Sequence, residues 1–366
     1  MRNVPELRFD GFDGEWEEKK LSNIVKVNSG RDYKHLSEGK YPVYGTGGLM
    51  TYVNEFLSYE DSVGIGRKGT INKPQKLEAP FWTVDTLFYA TPIKDYNLDY
   101  IYCIFQRINW LKYDESTGLP SLSKSNINNI RIFNAGVHEQ EKIGELFKKI
   151  DDLIEKQEEK VSKMEDFKKS MVQKMFPKKG ELVPEFRFDG FDGEWSPMFL
   201  KDLVWSEYKG RAMVDKLILG GGTEYLDTER LNGGTPILVD NDPDTSFDDI
   251  LILWDGSKAG AIYTKFEGIL GSTLRGFKIN DGNDSYFIYS FLKMNENLIE
   301  KKYRTPNIPH VVKDFSKVFE IKVSSLEEQE KIGQFFKNLD TQIENEEKLL
   351  ESYKMMKKSL LQKMFV

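Results

Sequence analysis

Of the side chains able to bind a metal or attack a substrate, the 366-residue sequence holds three histidines, His35, His138 and His310, and one cysteine, Cys103. The histidines are widely spaced and form no H-E-x-x-H pair, so no metal site is read from them. Cys103 lies in the apolar run 100–105, reads as a core residue, and by itself closes no intrachain disulfide. The run Asp240-Asn241-Asp242-Pro243-Asp244 has the alternating carboxylates of a calcium loop. Thr245, however, stands where that loop needs glycine and Leu251 where it needs the closing glutamate, so it reads as an acidic loop. Tyr44-Gly45-Thr46-Gly47-Gly48 lacks the spacing of a dinucleotide-binding turn, and no G-x-x-x-x-G-K-[ST] loop occurs. Glu-x-Lys fragments such as Glu17-Glu18-Lys19 are expected by chance where 30% of residues are charged. The formal net charge of −7 rules out a uniformly cationic surface, so any contact with a polyanion must come from local basic patches. Residues 26–138 carry 13 basic and 11 acidic side chains, a net +2, whereas residues 205–327 carry 15 and 19, a net −4.

The elements that must position such patches come from a duplication. The segment Val4-Pro5-Glu6-Leu7-Arg8-Phe9-Asp10-Gly11-Phe12-Asp13-Gly14-Glu15-Trp16 returns at 183–195 with Phe186 as the one change, and residues 139–176 return at 328–365 with 19 of 38 positions identical. Between these matched ends the sequences diverge, and the second insert is ten residues longer. A constant frame around drifting inserts points to two similarly placed modules that read different things. Length agrees with two domains. Hydrophobic and aromatic contents of 39% and 13% suffice for real cores. No apolar run approaches a membrane span, and Met1-Arg2-Asn3-Val4-Pro5-Glu6 has no signal-peptide core, so the chain is expected in the cytoplasm.

The repeated C-terminal block is the clearest element. Ile143, Phe147, Ile150, Ile154, Gln157, Val161, Met164, Lys168, Met171 and Met175 follow at alternating steps of four and three. Ile332, Phe336, Leu339, Ile343, Glu346, Leu350, Tyr353, Lys357, Leu360 and Met364 repeat the register. A 3.5-residue apolar period requires a partner helix. An antiparallel pairing of the two copies would set Lys168 opposite Glu346 and Gln157 opposite Lys357. Each helix would run about 55 Å. Ser325 and Glu328 have capping-box spacing at the second start, while Gly136 and Glu139 make a weaker start in the first. Pro177 and Gly180 end the first helix.

In the inserts, residues 41–44, 62–66, 81–89, 250–254 and 272–279 predict strands, and 95–110 and 285–299 predict helices. The fold class is therefore α+β: two α+β domains joined by two long antiparallel coiled-coil helices in a pseudo-two-fold repeat. The boundaries fall at 1–138, 139–180, 181–327 and 328–366.

The frame 9–16, the turn Gly66-Arg67-Lys68-Gly69, the run Gly118-Leu119-Pro120-Ser121-Leu122-Ser123-Lys124 and the helix start Glu139-Gln140-Glu141-Lys142-Ile143 together resemble the specificity subunits of type I restriction–modification enzymes, over nearly the whole chain. The second insert departs from the pattern at Thr305-Pro306-Asn307-Ile308-Pro309-His310. The resemblance implies two target-recognition domains, each reading half of a bipartite duplex-DNA sequence. It also implies paired helices that set the gap and dock two methyltransferase subunits, with restriction subunits joining through them. No cofactor is implied in this chain; S-adenosylmethionine and ATP would belong to the partners. The absence of any Pro-Pro pair, which an adenine methyltransferase loop needs, agrees that methyl transfer lies elsewhere.

Base edges are read by aimed donors and acceptors, while cations and hydroxyls on phosphates supply affinity. The DNA-contact candidates are Arg31, Tyr33 and Lys34 after Gly30; Arg67, Lys68 and Lys73 around Gly66 and Gly69; and Ser121, Ser123 and Lys124. In the second insert they are Lys209 and Arg211 around Gly210, Ser257 and Lys258 after Gly256, and Arg304, Asn307 and His310. Two other readings compete: a coiled-coil scaffold displaying two protein-binding domains, favoured by the acidic second insert, and a DNA-recognition subunit of another phage-defence assembly.

Overall fold

The computed structural model describes residues 3–93, 95–305 and 309–366. The chain divides into two compact units, 1–159 with 348–366 and 160–347. The sequence places the long helices apart from the domains; instead, each unit takes part of both.

Unit 1 contains β1 (Glu17–Lys20), β2 (Val25–Ser29), β3 (Glu38–Gly45), β4 (Gly48–Val53), β5 (Ser62–Gly66), β6 (Gln75–Leu77), β7 (Trp82–Thr83), β8 (Leu87–Pro92), α1 (Leu98–Arg107), α2 (Lys124–Asn129), β9 (Arg131–Asn134) and the first part of α3 (Val137–Met175). Unit 2 contains β10 (Ser196–Phe199), α4 (Leu200–Leu203), β11 (Val204–Lys209), β12 (Leu219–Leu226), α5 (Thr228–Leu231), β13 (Ile237–Val239), β14 (Ile250–Leu253), β15 (Ile262–Tyr263), β16 (Ile269–Leu270), β17 (Leu274–Ile279), α6 (Ser285–Met294), α7 (Glu296–Lys302), α8 (Phe315–Val318), β18 (Glu320–Val323) and the first part of α9 (Leu326–Lys363).

The two units share one topology despite their divergent inserts. In unit 1 the sheets are β1-β9, β2-β8-β5-β6 and β4-β3-β7; in unit 2 they are β10-β18, β11-β17-β14-β15 and β13-β12-β16. The expected strand 81–89 is broken at 84–86, where Leu87 N donates to Val84 O at 3.0 Å and closes a turn. The expected helix 285–299 is broken at Asn295, whose amide nitrogen donates back to Phe291 O at 2.8 Å. Cys103 is buried within the α1 face, and burial pushes its thiol pKa up.

The duplicated frame closes each unit in the same way. Arg8 makes a bidentate pair with the buried Glu139 at 2.7 and 2.8 Å, and Arg187 does the same with Glu328 at 2.7 Å on both arms. Trp16 Nε1 also donates to Glu139, at 3.1 Å. These carboxylates therefore serve the frame rather than a capping box; of the box expected at Ser325 only the bond from Glu328 N to Ser325 Oγ, 3.4 Å long, is made. Phe365 packs on Trp16, Tyr100 and Phe147 with ring centroids 5.8, 5.6 and 6.1 Å away. Its repeat mate Phe176 packs on Trp195, Phe287 and Phe336 at 6.0, 5.1 and 6.0 Å.

Burial follows the heptad seam. Ile143, Phe147 and Ile150 lie in the unit 1 core with Ile154 packed against it, beside Leu360 of α9 and Met364 just beyond it. Ile332 and Phe336 lie in the unit 2 core beside Met171 and Met175 of α3, and Leu339 and Ile343 are buried as well. Within each unit the helix segments run antiparallel. The pairing of Lys168 with Glu346 is corrected: Lys168 pairs with Asp340, and Glu346 with Lys160 at 2.7 Å. Lys357 likewise pairs with Asp151 at 2.6 Å. Asp151 and Asp340 flank the seam next to Ile150 and Leu339, so the long lysines reach sideways to flanking carboxylates rather than across to seam residues.

Candidate nucleic-acid interface

In unit 1 three candidate loops hang on one short connection, residues 83–87 between β7 and β8. Gly30 N donates to Leu87 O at 3.0 Å and Arg31 N to Thr83 O at 2.9 Å. Arg67 N and Lys68 N both donate to Thr86 O, at 2.8 and 3.3 Å. The third loop joins through the second: Gly69 N donates to Pro120 O and Leu122 N to Arg67 O, each at 2.9 Å, with Lys68 and Ser121 forming an isolated antiparallel bridge. The glycines are needed for this closeness. A Cβ on Gly30 would lie 2.0 Å from Val84 O, and one on Gly66 2.0 Å from Thr70 O.

Asp114 braces the third loop, accepting from Ser121 N at 2.9 Å and from Ser116 N and Oγ at 3.0 and 2.9 Å. Those bonds hold its carboxyl below the usual aspartate range. Arg31, Lys34, Arg67, Lys68, Lys73 and Lys124 are exposed. Arg67 lies over the Phe88 ring at 5.7 Å and donates to Asp85 O at 3.4 Å, so it is aimed rather than free. Two candidates have structural duties. Tyr33 packs against the core of Val43, Phe81 and Trp82. The Ser123 hydroxyl caps α2 by accepting from Asn126 N at 3.1 Å and donates to Glu115 at 3.1 Å.

Unit 2 repeats most of these bonds with other residues, although Leu270 O, the counterpart of Thr83 O, accepts from Ala212 N at 3.3 Å rather than from Arg211 N. Gly210 N donates to Leu274 O at 3.0 Å, which makes Arg211 the counterpart of Arg31. Trp254 N and Asp255 N both donate to Thr273 O, at 2.8 and 3.1 Å; Gly256 N donates to Pro309 O and Val311 N to Trp254 O, each at 2.9 Å. Trp254 and Asp255 thus occupy the places of Arg67 and Lys68, and His310, bridged to Asp255, the place of Ser121. The sequence does not align Trp254 and Asp255 with Arg67 and Lys68. Their signal was Gly256, the counterpart of Gly69, after which rather than before which the cations were sought.

Lys209 and Arg211 are exposed, as are Ser257 and Lys258. Lys258 donates to Asn232 Oδ1 at 3.3 Å. Arg304 is tied down, donating to Ser257 O at 2.9 Å and pairing with Glu300 at 3.0 Å. The His310 ring lies 3.0 Å from Thr305 Oγ1. Asn307 lies outside the described residues. The stacked pair is exchanged between strands: Arg275 of β17, the counterpart of Phe88, stacks on Trp254 at 3.5 Å and pairs with Glu207 at 2.7 Å. Among the described residues no cluster of His, Cys, Asp and Glu could hold a metal, and no helix is long and apolar enough to cross a membrane.

A model of the type I restriction modification DNA specificity domain matches the chain twice, over residues 13–163 and 192–354. The chain belongs to this family. Its two matched stretches begin inside the duplicated frames and end inside the long helices, so each copy of the specificity domain includes one insert. The chain is 32% identical over 183 residues to the type I restriction enzyme MjaVIII specificity subunit of Methanocaldococcus jannaschii, covering 47% of this chain and 42% of that relative. It is 23% identical over 155 residues to the EcoprrI specificity subunit of Escherichia coli, covering 40% and 39%. These matches span about two fifths of each curated relative. Among solved structures it resembles the type I restriction–modification S subunit from M. genitalium, with a TM-score of 0.80 and 17% identity over 99% of both chains. A second structure, from work on complex assembly and conformational transition of the type I R-M system, gives 0.52 and 13% over 96% and 97%. At such identities the two structures establish the specificity-subunit fold.

Proposed function

We propose that this chain reads a bipartite duplex-DNA target as the non-catalytic specificity subunit of a type I restriction–modification complex in the cytoplasm. Each unit takes one half of the target. Two methyltransferase subunits dock on it and restriction subunits join through them, carrying the S-adenosylmethionine and ATP chemistry. The observation that carries this reading is the pair of loop clusters hung on largely equivalent backbone bonds, with exposed Arg31, Lys34, Arg67, Lys68, Lys73 and Lys124 and half-buried Ser121 in one and exposed Lys209, Arg211, Ser257 and Lys258 in the other. Rigid glycine-braced loops hold donors at the accuracy base edges require, and flanking cations meet phosphates.

The acidic balance of residues 205–327 favours a second reading, a scaffold whose domains bind proteins. One experiment separates them: binding of the full chain to duplex DNA across a salt series, followed by mapping of methylated adenines with the co-purified methyltransferase. DNA recognition predicts affinity falling steeply with salt and a two-part methylated motif. Salt-independent or absent binding favours the scaffold.

A further inference from the structure

The matched bonds make individual loop positions comparable between the units, and at one position the chemistry is reversed. Lys68 and Asp255 each donate a backbone N–H to the same carbonyl of the strand connection, Thr86 and Thr273, and each forms the bridge to the loop that follows a proline. One offers only donors and the other only acceptors. The neighbouring guanidinium is also withdrawn. Arg67 is exposed on its loop, whereas Arg275 is a quarter exposed or less, stacked on Trp254 and paired with Glu207. Among the described residues nothing donates to the Asp255 carboxylate, and the residue is half-buried on the loop with Ser257 and Lys258 exposed beside it.

In the major groove, guanine presents acceptors, matched by arginine or lysine, while cytosine and adenine present an amino donor, which a carboxylate can accept. We propose that Asp255 is a specificity-determining residue of unit 2. It accepts from the exocyclic amino group of a cytosine or adenine, at the place where unit 1 presents Arg67 and Lys68 to a guanine. This rests on the DNA-recognition reading above and adds to it that the half-sites differ in polarity at equivalent positions.

The test is selection from a pool of randomised duplex DNA by the full-length chain, with sequencing of the bound fraction. The wild type should enrich a two-part sequence in which one position of one half, on the strand Asp255 reads, is cytosine or adenine. In Asp255→Ala the preference at that one position should fall about tenfold, the worth of one good side chain–base pair, with the other half unchanged. Asp255→Lys should move it to guanine. Unchanged preferences in both variants, or changes spread over both halves, would overturn the inference while leaving DNA recognition standing. No enriched sequence with the wild type would overturn DNA recognition itself. Should Asp255→Ala lower the melting temperature, Lys68→Glu on its exposed loop carries the same test. It should replace a guanine by a cytosine or adenine in the unit 1 half, and an unaltered half would refute the proposal.

Discussion

Arg67 combines exposure with restraint, since the Phe88 ring and Asp85 O hold its guanidinium without covering it. Replacing it by alanine should cost about 1–3 kcal/mol of DNA affinity and relax one base of the unit 1 half-site, as seen by titration against matched and mismatched duplexes. Asp114 makes a pH prediction. Its carboxyl titrates below the ordinary aspartate value because the charged form accepts from Ser121 N and Ser116. The stability it gives the 114–124 loop is therefore complete above the unfolded value of ~4 and lost as pH falls through the depressed one. The protection factor at the Ser121 amide, exchange corrected for its intrinsic pH dependence, should be high at pH 6 and fall in the acid range, and in Asp114→Ala it should be low at both; equal protection in the variant would remove the brace. Arg8 and Glu139 form a shielded bidentate pair, 14% and 2% exposed. Arg8→Ala leaves the Glu139 charge buried with Trp16 Nε1 as its remaining frame donor, and should cost about 3–5 kcal/mol in denaturant unfolding. At this scale the placement of the glycine-flanked cations on exposed tight loops was legible because Gly30 and Gly66 leave no room for a Cβ. Trp254 and Asp255 were not legible, because the aromatic and the guanidinium had traded strands and only the backbone bonds reveal the correspondence.

At the scale of elements, the long helices were the most legible feature, since a 3.5-residue period specifies a buried stripe whatever the partner. Their ion pairs were less so. Seam positions say which face is covered, but Lys168 and Lys357 carry flexible four-carbon stems that reach Asp340 and Asp151, residues just off the stripe. Because those two pairs occupy equivalent repeat positions, Asp151→Asn and Asp340→Asn should destabilise by similar amounts, of order 1 kcal/mol for partly exposed pairs. The short insert strands were harder, being brief and bounded by turns with no periodicity of their own. The connection between the first two strands of the smaller sheet shows why the inserts seemed unrelated. In unit 1 it is the tight turn Thr46-Gly47, in unit 2 a longer excursion that includes α5, yet the same three-stranded order results.

At the scale of the molecule, the duplicated frame assigns each unit a closing aromatic that follows the end of a long helix, Phe365 after α9 in unit 1 and Phe176 after α3 in unit 2. Phe365→Ala should cost ~3–5 kcal/mol, the penalty of emptying a packed aromatic site. Hydrogen exchange should place the loss in residues around Trp16, Tyr100 and Phe147. Phe176→Ala should instead loosen the surroundings of Trp195, Phe287 and Phe336. If helix length is the ruler of the bipartite target, inserting four residues into both α3 and α9 should lengthen the unread gap in the mapped methylation motif, and an unaltered gap would refute the ruler.

The same closure governs synthesis. Residues 348–366 are translated after the whole of 160–347, yet they are part of the unit that holds residues 1–159. On the ribosome, Trp16, Tyr100 and Phe147 must wait with a vacant seat until residues 160–347 have been made. During that wait Phe176, already made and chemically identical to Phe365, is the nearest competitor for the seat, so correct folding requires the nascent chain to keep its two copies from being exchanged.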